Sequence, residues 1–108
     1  MQVLPAFERV VLIECERFSE KLFESIKNKI ARDCSVQRMP FNIEELQKMQ
    51  TRVIKSCNQY LSEKLGRIVD TKHLVQIAAD VEGRVRAYFK DIFKQNEQQS
   101  RSASLNFM

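Results

Sequence analysis

The spacing of apolar residues constrains this chain more than any other feature. The first segment carries seven of them at intervals of three or four: Phe7, Val11, Cys15, Phe18, Leu22, Ile26 and Ile30. Residues three or four apart lie on the same side of an α-helix, so the pattern predicts one helix from about Pro5 to Arg32. Proline suits the first turn of a helix, because an N–H there would lack a partner anyway.

The second segment repeats this spacing after a break between Asp33 and Phe41. Its apolar residues are Ile43, Leu46, Met49, Val53, Cys57, Tyr60 and Leu61. Asn42 and Glu45 have the spacing of a capping box, which predicts that the helix begins after Asn42. The helix is expected to end near Gly66, with that glycine in the left-handed conformation common after helix C-termini.

The third segment begins after Asp70, a residue type that caps helix N-termini. Its apolar residues are Leu74, Ile77, Ala78, Val81, Val85, Tyr88, Phe89, Ile92 and Phe93. Gly83 lies within this helix at a cost of up to about 1 kcal/mol relative to Ala, which suggests close packing there. After Lys94 the sequence turns polar, and such a segment cannot bury enough apolar surface to become ordered.

These three segments predict the fold class and the domain organisation. Only two Gly and two Pro occur in 108 residues, which argues against a turn-rich β fold. We expect an all-α three-helix bundle with long helices over residues 1–95, followed by a polar, disordered tail over residues 96–108. The longest aliphatic run is Val10–Ile13, which is far shorter than the roughly 20 residues that span a bilayer.

The cysteines and the charges indicate an intracellular protein with a basic surface. Three cysteines without a Cys-x-x-Cys pair, and no secretory leader, favour free thiols in a reducing compartment. The net charge is +4, and the first 26 residues hold five glutamates against three basic residues, so the positive excess lies in the rest of the chain. A basic surface attracts acidic partners.

No pattern in the sequence indicates catalysis or a bound cofactor. The chain has one histidine, His73, no nucleophile-elbow motif and no glycine-rich phosphate loop. The three cysteines and His73 lack the close pairs typical of structural zinc sites. We therefore expect a protein that is not an enzyme and needs neither a metal nor a cofactor.

A strip of cations on the second helix is the clearest candidate site. No acidic residue occurs between Glu45 and Glu63, whereas Lys48, Arg52 and Lys55 lie on one side of the helix. The strip predicts an acidic or phosphorylated peptide ligand, and four basic residues near the end of the first helix would widen it: Lys27, Lys29, Arg32 and Arg38. A merely solvated helix face stays open as an alternative. Nucleic acid is disfavoured, because the sequence contains no recognised nucleic-acid-binding module.

Three stretches of the sequence resemble the SRI domain, a module of some histone lysine methyltransferases that binds the phosphorylated tail of RNA polymerase II. They are Asp33–Met39, Glu44–Met49 and Val81–Lys90, and the likeness covers about residues 18–94. The resemblance implies a nuclear, three-helix domain whose first two helices bind a doubly phosphorylated peptide. Carried over by position, it implies that Lys48, Arg52 and Lys55 meet phosphates, with Arg38 nearby in the link.

The sequence thus leads to two functional hypotheses. The first is a non-catalytic nuclear interaction domain that binds an acidic or serine-phosphorylated peptide, with Lys27, Arg38, Lys48, Arg52 and Lys55 as the binding residues. The alternative is an oligomerisation or scaffold domain that forms a homodimer through its first helix. Val10–Ile13 and Phe23 favour this alternative, because they are apolar residues that a three-helix monomer would leave partly uncovered.

Overall fold

The described part of the chain folds into three α-helices. A computed structural model describes the backbone of residues 6–106 and the side chains of residues 13–102. Within these residues the helices are α1 (Ala6–Asp33), α2 (Ile43–Leu65) and α3 (Thr71–Asn106), with a 3-10 turn at Val36–Arg38. The predicted all-α three-helix bundle is confirmed, whereas Pro5 lies outside the described residues. None of these helices is long and apolar enough to cross a membrane.

The ends of α2 follow from local hydrogen bonding. The Asn42 side chain accepts a hydrogen bond from the Glu44 N–H at 2.8 Å, which confirms Asn42 as the N-cap. At the other end, Gly66 has φ −58° and ψ −24°, so the expectation of a left-handed glycine is wrong. The chain keeps turning in the right-handed sense, because the Leu65 carbonyl accepts from the N–H groups of Ile68 and Val69.

The last helix is longer than the sequence predicted. It begins after Asp70, whose carbonyl accepts from the Leu74 N–H at 2.9 Å, and it continues to Asn106 through most of the predicted tail. The helix therefore extends beyond residue 95, where the polar tail was expected to begin, and residues 107–108 lie outside the described part. Asn96 holds the helix in place just past Lys94, because this residue is buried and its side chain accepts from the Phe41 N–H at 2.6 Å and donates to the Phe41 carbonyl at 3.0 Å.

Both α1 and α2 pack on α3 rather than on each other. The rings of Phe23 and Tyr88 form a T-shaped pair with their centroids 6.2 Å apart, and Glu20 Oε1 lies 3.9 Å from Arg84 Nη2. Because the later residue on α1 contacts the later residue on α3, the two helices are parallel. The short connection from α2 makes that helix antiparallel to α3. Among the described residues, no Cα atom of α1 comes within 8 Å of one of α2. The shortest dimension of the molecule is 19 Å, as expected for two helix layers of about 10 Å each.

The core lies along the side of α3 that faces the other two helices. Val81, Val85 and Phe89 have no exposed surface there, and buried residues of all three helices join them: Ile30, Leu46, Ile54, Cys57, Leu61, Ile77 and Ile92. Fully burying one such side chain contributes about 1.5–3 kcal/mol. Gly83 takes no part in this packing, because a Cβ at that position would meet no atom within 4 Å. The expectation of close packing at Gly83 is therefore wrong.

Candidate functional site

An open groove lies between α1 and α2, where the two helices fail to meet. Its volume is about 650 Å³, within the range of roughly 300–1,000 Å³ that is typical of ligand pockets. The apolar residues that line it come in equal numbers from the two helices: Leu22, Ile26 and Ile30 from α1, and Met49, Val53 and Cys57 from α2. We call this feature the α1–α2 groove.

The groove exists because the apolar stripes of α1 and α2 are wider than their contact with α3. Ile30 and Cys57 are 3% and 5% exposed and belong to the core, but Ile26, Met49 and Val53 are only half-buried. These half-buried side chains lie on the side of each helix that faces the other helix across the gap. The groove is thus a continuation of the core into a space that no other element of residues 6–106 fills.

The rims of the groove carry opposed cations. Lys29 lines it from α1 and Arg52 from α2, and neither forms an ion pair with a carboxylate among the described side chains. Asp33 is the one acidic residue in the lining, at the end where α1 stops and α2 begins. Two cations above a low-dielectric apolar surface focus a positive potential into the groove.

Polar groups without charge complete the lining. Ser25 and Ser56 lie on opposite sides, and Tyr60 is 41% exposed at the end away from Asp33. The Ser25 hydroxyl donates to the Leu22 carbonyl at 2.8 Å. Burial raises the pKa of the Cys57 thiol, so this thiol is protonated at neutral pH and acts as a small apolar group.

The structure places the predicted strip of α2 along the outer edge of the groove. Arg52 is in the lining, and Lys48 and Lys55 are exposed. At about 100° per residue, Lys48 and Lys55 lie roughly 40° and 60° around the helix from Arg52, both on the side away from α3. The three cations therefore form a continuous positive border on the α2 side.

The predicted residues outside α2 are placed differently. Lys27 is half-buried and does not line the groove, because it lies roughly 160° around α1 from Lys29. Arg38 is exposed in the 3-10 turn, which packs against α3 and also does not line the groove. The structure thus places Lys29 and Arg52 on opposite sides of one groove. The sequence indicated Lys29 only as a residue that would widen the cationic strip of α2.

Comparison of the chain with protein-family models, with curated proteins and with solved structures finds no match. The site is therefore interpreted from its own chemistry.

Sequence reasoning did not anticipate the apolar walls of the site. Met49, Val53 and Tyr60 have the same helical spacing as the core residues of α2, so the spacing alone does not distinguish groove residues from core residues. One signal was present, because the apolar residues of α2 cover more of its circumference than one neighbouring helix can bury. The arrangement of apolar walls, cationic rims and exposed hydroxyls suits the binding of an amphipathic anion.

Proposed function

We propose that this chain is a non-catalytic protein-interaction domain that binds an acidic or serine-phosphorylated peptide in the α1–α2 groove. The observation that carries the proposal is the combination of an apolar groove with a cation on each rim, Lys29 on α1 and Arg52 on α2, neither of which forms an ion pair among the side chains of residues 13–102. Charge complementarity selects an anionic ligand, and the apolar walls give that ligand surface to bury.

The two parts of the groove contribute differently to binding. An ion pair between exposed groups is worth only about 0.2–1 kcal/mol, so Lys29 and Arg52 cannot supply a strong affinity alone. Apolar side chains that enter between Ile26 and Val53 would supply most of the free energy of binding. The cations supply selectivity and speed of association, and their contribution weakens as salt concentration rises.

The resemblance to the SRI domain suggests a particular partner and compartment. It supports the phosphorylated tail of RNA polymerase II as the ligand and the nucleus as the location. In that case Lys48, Arg52 and Lys55 would contact phosphates along the outer edge of α2, and a bound peptide could extend past the groove towards Arg38.

A peptide titration followed by NMR tests the proposal. The ¹⁵N-labelled protein is titrated with a doubly serine-phosphorylated peptide of the polymerase tail repeat and with the same peptide unphosphorylated. We expect amide shifts between residues 27 and 55, centred on the residues that line the groove, and weaker binding at high salt. The proposal fails if neither peptide binds or if the two bind equally well.

Charge-reversal variants give the matched control for that titration. Arg52→Glu reverses a charge on the rim, whereas Lys90→Glu makes the same change on α3, at an exposed position that does not line the groove. We expect Arg52→Glu to weaken binding about fivefold or more and Lys90→Glu to leave it unchanged. Equal losses in both variants would mean that only the net charge matters, which contradicts a specific site.

Pairing of two chains through α1 is the second candidate function. Ile13 favours it, because this residue is 49% exposed on α1. Phe23 does not, because it is half-buried and its ring packs against that of Tyr88, and the side chains of Val10–Leu12 lie outside the described part. Light scattering at increasing protein concentration, with Ile13→Glu as the variant, decides the matter. A monomer at every concentration would exclude this function.

A further inference from the structure

We propose that the ligand of the α1–α2 groove binds as an acidic amphipathic helix of about three turns, and so completes a four-helix arrangement. This inference rests on the proposed function in its acidic-peptide form, and it specifies the conformation and the charge pattern of that acidic partner; a proline-rich peptide could not adopt this conformation.

The walls favour a helical ligand because most of their backbone groups already have partners. Both walls are α-helices, whose N–H and C=O groups bond within each helix except in the last turn of α1, beside Asp33. A peptide in an extended conformation would place its own backbone groups against Ile26 and Val53 without partners, which is unfavourable because each buried group loses its hydrogen bonds to water. A helix satisfies its own backbone and presents only side chains, as in other helix-in-groove complexes.

The length of the groove matches about three helical turns. The lining residues span positions 22–33 on α1 and positions 49–60 on α2, which correspond to roughly 16 Å on each helix. The two walls are antiparallel helices, so the groove between them runs along their shared axis direction. A helix of about 12 residues, with apolar side chains at i, i+4, i+7 and i+11, would lay one apolar stripe along that line.

The cations set the charge pattern of this helix. Lys29 and Arg52 lie on opposite rims, so acidic residues are required on both flanks of the apolar stripe. Lys48 and Lys55 extend the positive border on the α2 side, which favours more acidic residues on that flank. Asp33 closes one end of the groove, where a further carboxylate on the ligand would be repelled.

Three synthetic peptides of equal length and composition test the inference. The first places its Leu residues at i, i+4, i+7 and i+11, with Glu divided between both flanks and Ala elsewhere. The second reorders the same residues so that every Leu alternates with a Glu. The third keeps the Leu positions of the first and moves every Glu to one flank. Binding is followed by amide shifts of the labelled protein and by the far-UV circular dichroism of each mixture. We expect the first peptide to gain helicity and to bind at least tenfold more tightly than the second.

The outcomes separate this inference from the function on which it rests. If the alternating peptide binds the groove as tightly as the helical one, the helical inference is wrong while acidic-peptide binding stands. If no acidic or phosphorylated peptide shifts groove amides, both are wrong. Equal binding of the first and third peptides would overturn the two-flank charge pattern.

Variants of the protein locate the bound helix. Lys29→Glu and Arg52→Glu should each weaken the first peptide about fivefold, because each faces one flank of the ligand. Lys90→Glu is the control, since Lys90 is exposed on α3 outside the groove. A loss in only one of the two rim variants would contradict a helix that bridges both rims.

Discussion

The side of α2 that faces α3 and the side that faces the α1–α2 groove both carry apolar residues, but they differ in how completely those residues are buried. Leu46 and Leu61 face α3 and are at most 1% exposed. Met49 and Val53 face α1 across the groove and stay half-buried, because α1 does not come close enough to cover them. One side therefore stabilises the fold, whereas the other side keeps apolar surface available for a ligand.

This difference shows that a broad apolar stripe has two separable roles. The side of α2 that meets α3 contributes to the free energy of unfolding through burial. The groove side contributes less to that free energy, because its residues are incompletely removed from water in the isolated chain. Truncations on the two sides of α2 test this contrast directly, and changes at other positions, with smaller expected effects on stability, sharpen it.

Truncation of one residue on each side of α2 gives the largest contrast. We expect Leu46→Ala to lower the free energy of unfolding by about 2–5 kcal/mol, since it leaves a cavity at a fully buried position. Met49→Ala should lower it by less than about 2 kcal/mol, yet weaken acidic-peptide binding. Urea denaturation and a peptide titration measure the two effects. Equal destabilisation by both variants would show that the groove is part of the core.

Loss of the Asn96 side chain tests how much its contact with Phe41 stabilises the packing of α3 against the segment that precedes α2. Asn96→Ala removes two hydrogen bonds to the Phe41 backbone, at 2.6 and 3.0 Å. We expect a loss of about 1–3 kcal/mol in the free energy of unfolding, because the Phe41 N–H and carbonyl are partly buried and lose their partner. The Phe41 amide should also exchange faster with solvent in deuterium-exchange experiments. An unchanged exchange rate there would contradict this role.

The two glycines provide a smaller test with opposite signs. Gly83→Ala should raise the free energy of unfolding by up to about 1 kcal/mol, since the added Cβ meets nothing and alanine favours a helix. Gly66→Ala should lower it, because a Cβ there would meet the Ser62 carbonyl oxygen. Thermal unfolding of both variants measures the difference, and stabilisation by Gly66→Ala would contradict the geometry of this turn.

The Cys57 thiol, which borders both the core and the groove, gives the smallest effect. Burial raises the pKa of this thiol above its ordinary value of 9.0, so its contribution to stability is complete below about pH 9. It is lost as pH rises through the raised value, because the unfolded state releases this proton more readily. We expect Cys57→Ala to reduce the fall in stability measured by denaturation between about pH 8 and about pH 10. An unchanged pH profile would show that the thiol is not desolvated.

Local sequence signals predicted the helices and part of their boundaries. Asn42 and Asp70 occupy the N-terminal cap positions that their types favour, because capping depends on bonds within one turn. The extension of α3 through Asn96 could not be predicted in this way, because its partner Phe41 lies 55 residues earlier in the chain. The right-handed backbone conformation of Gly66 likewise depends on the hydrogen bonds of the turn that follows it, and not on its being a glycine.

For the candidate site, too, some features follow from the sequence and others only from the tertiary structure. The sequence by itself determined that α2 carries Arg52 in a run of cations without acids, since helical periodicity places such residues on one side. Only the tertiary structure decided that Lys29 faces Arg52 across an open groove and that Lys27 does not line it. The spacing of apolar residues indicates which side chains tend to be buried, but not which neighbouring helix covers them. The covering helix depends on how α1 and α2 pack on α3.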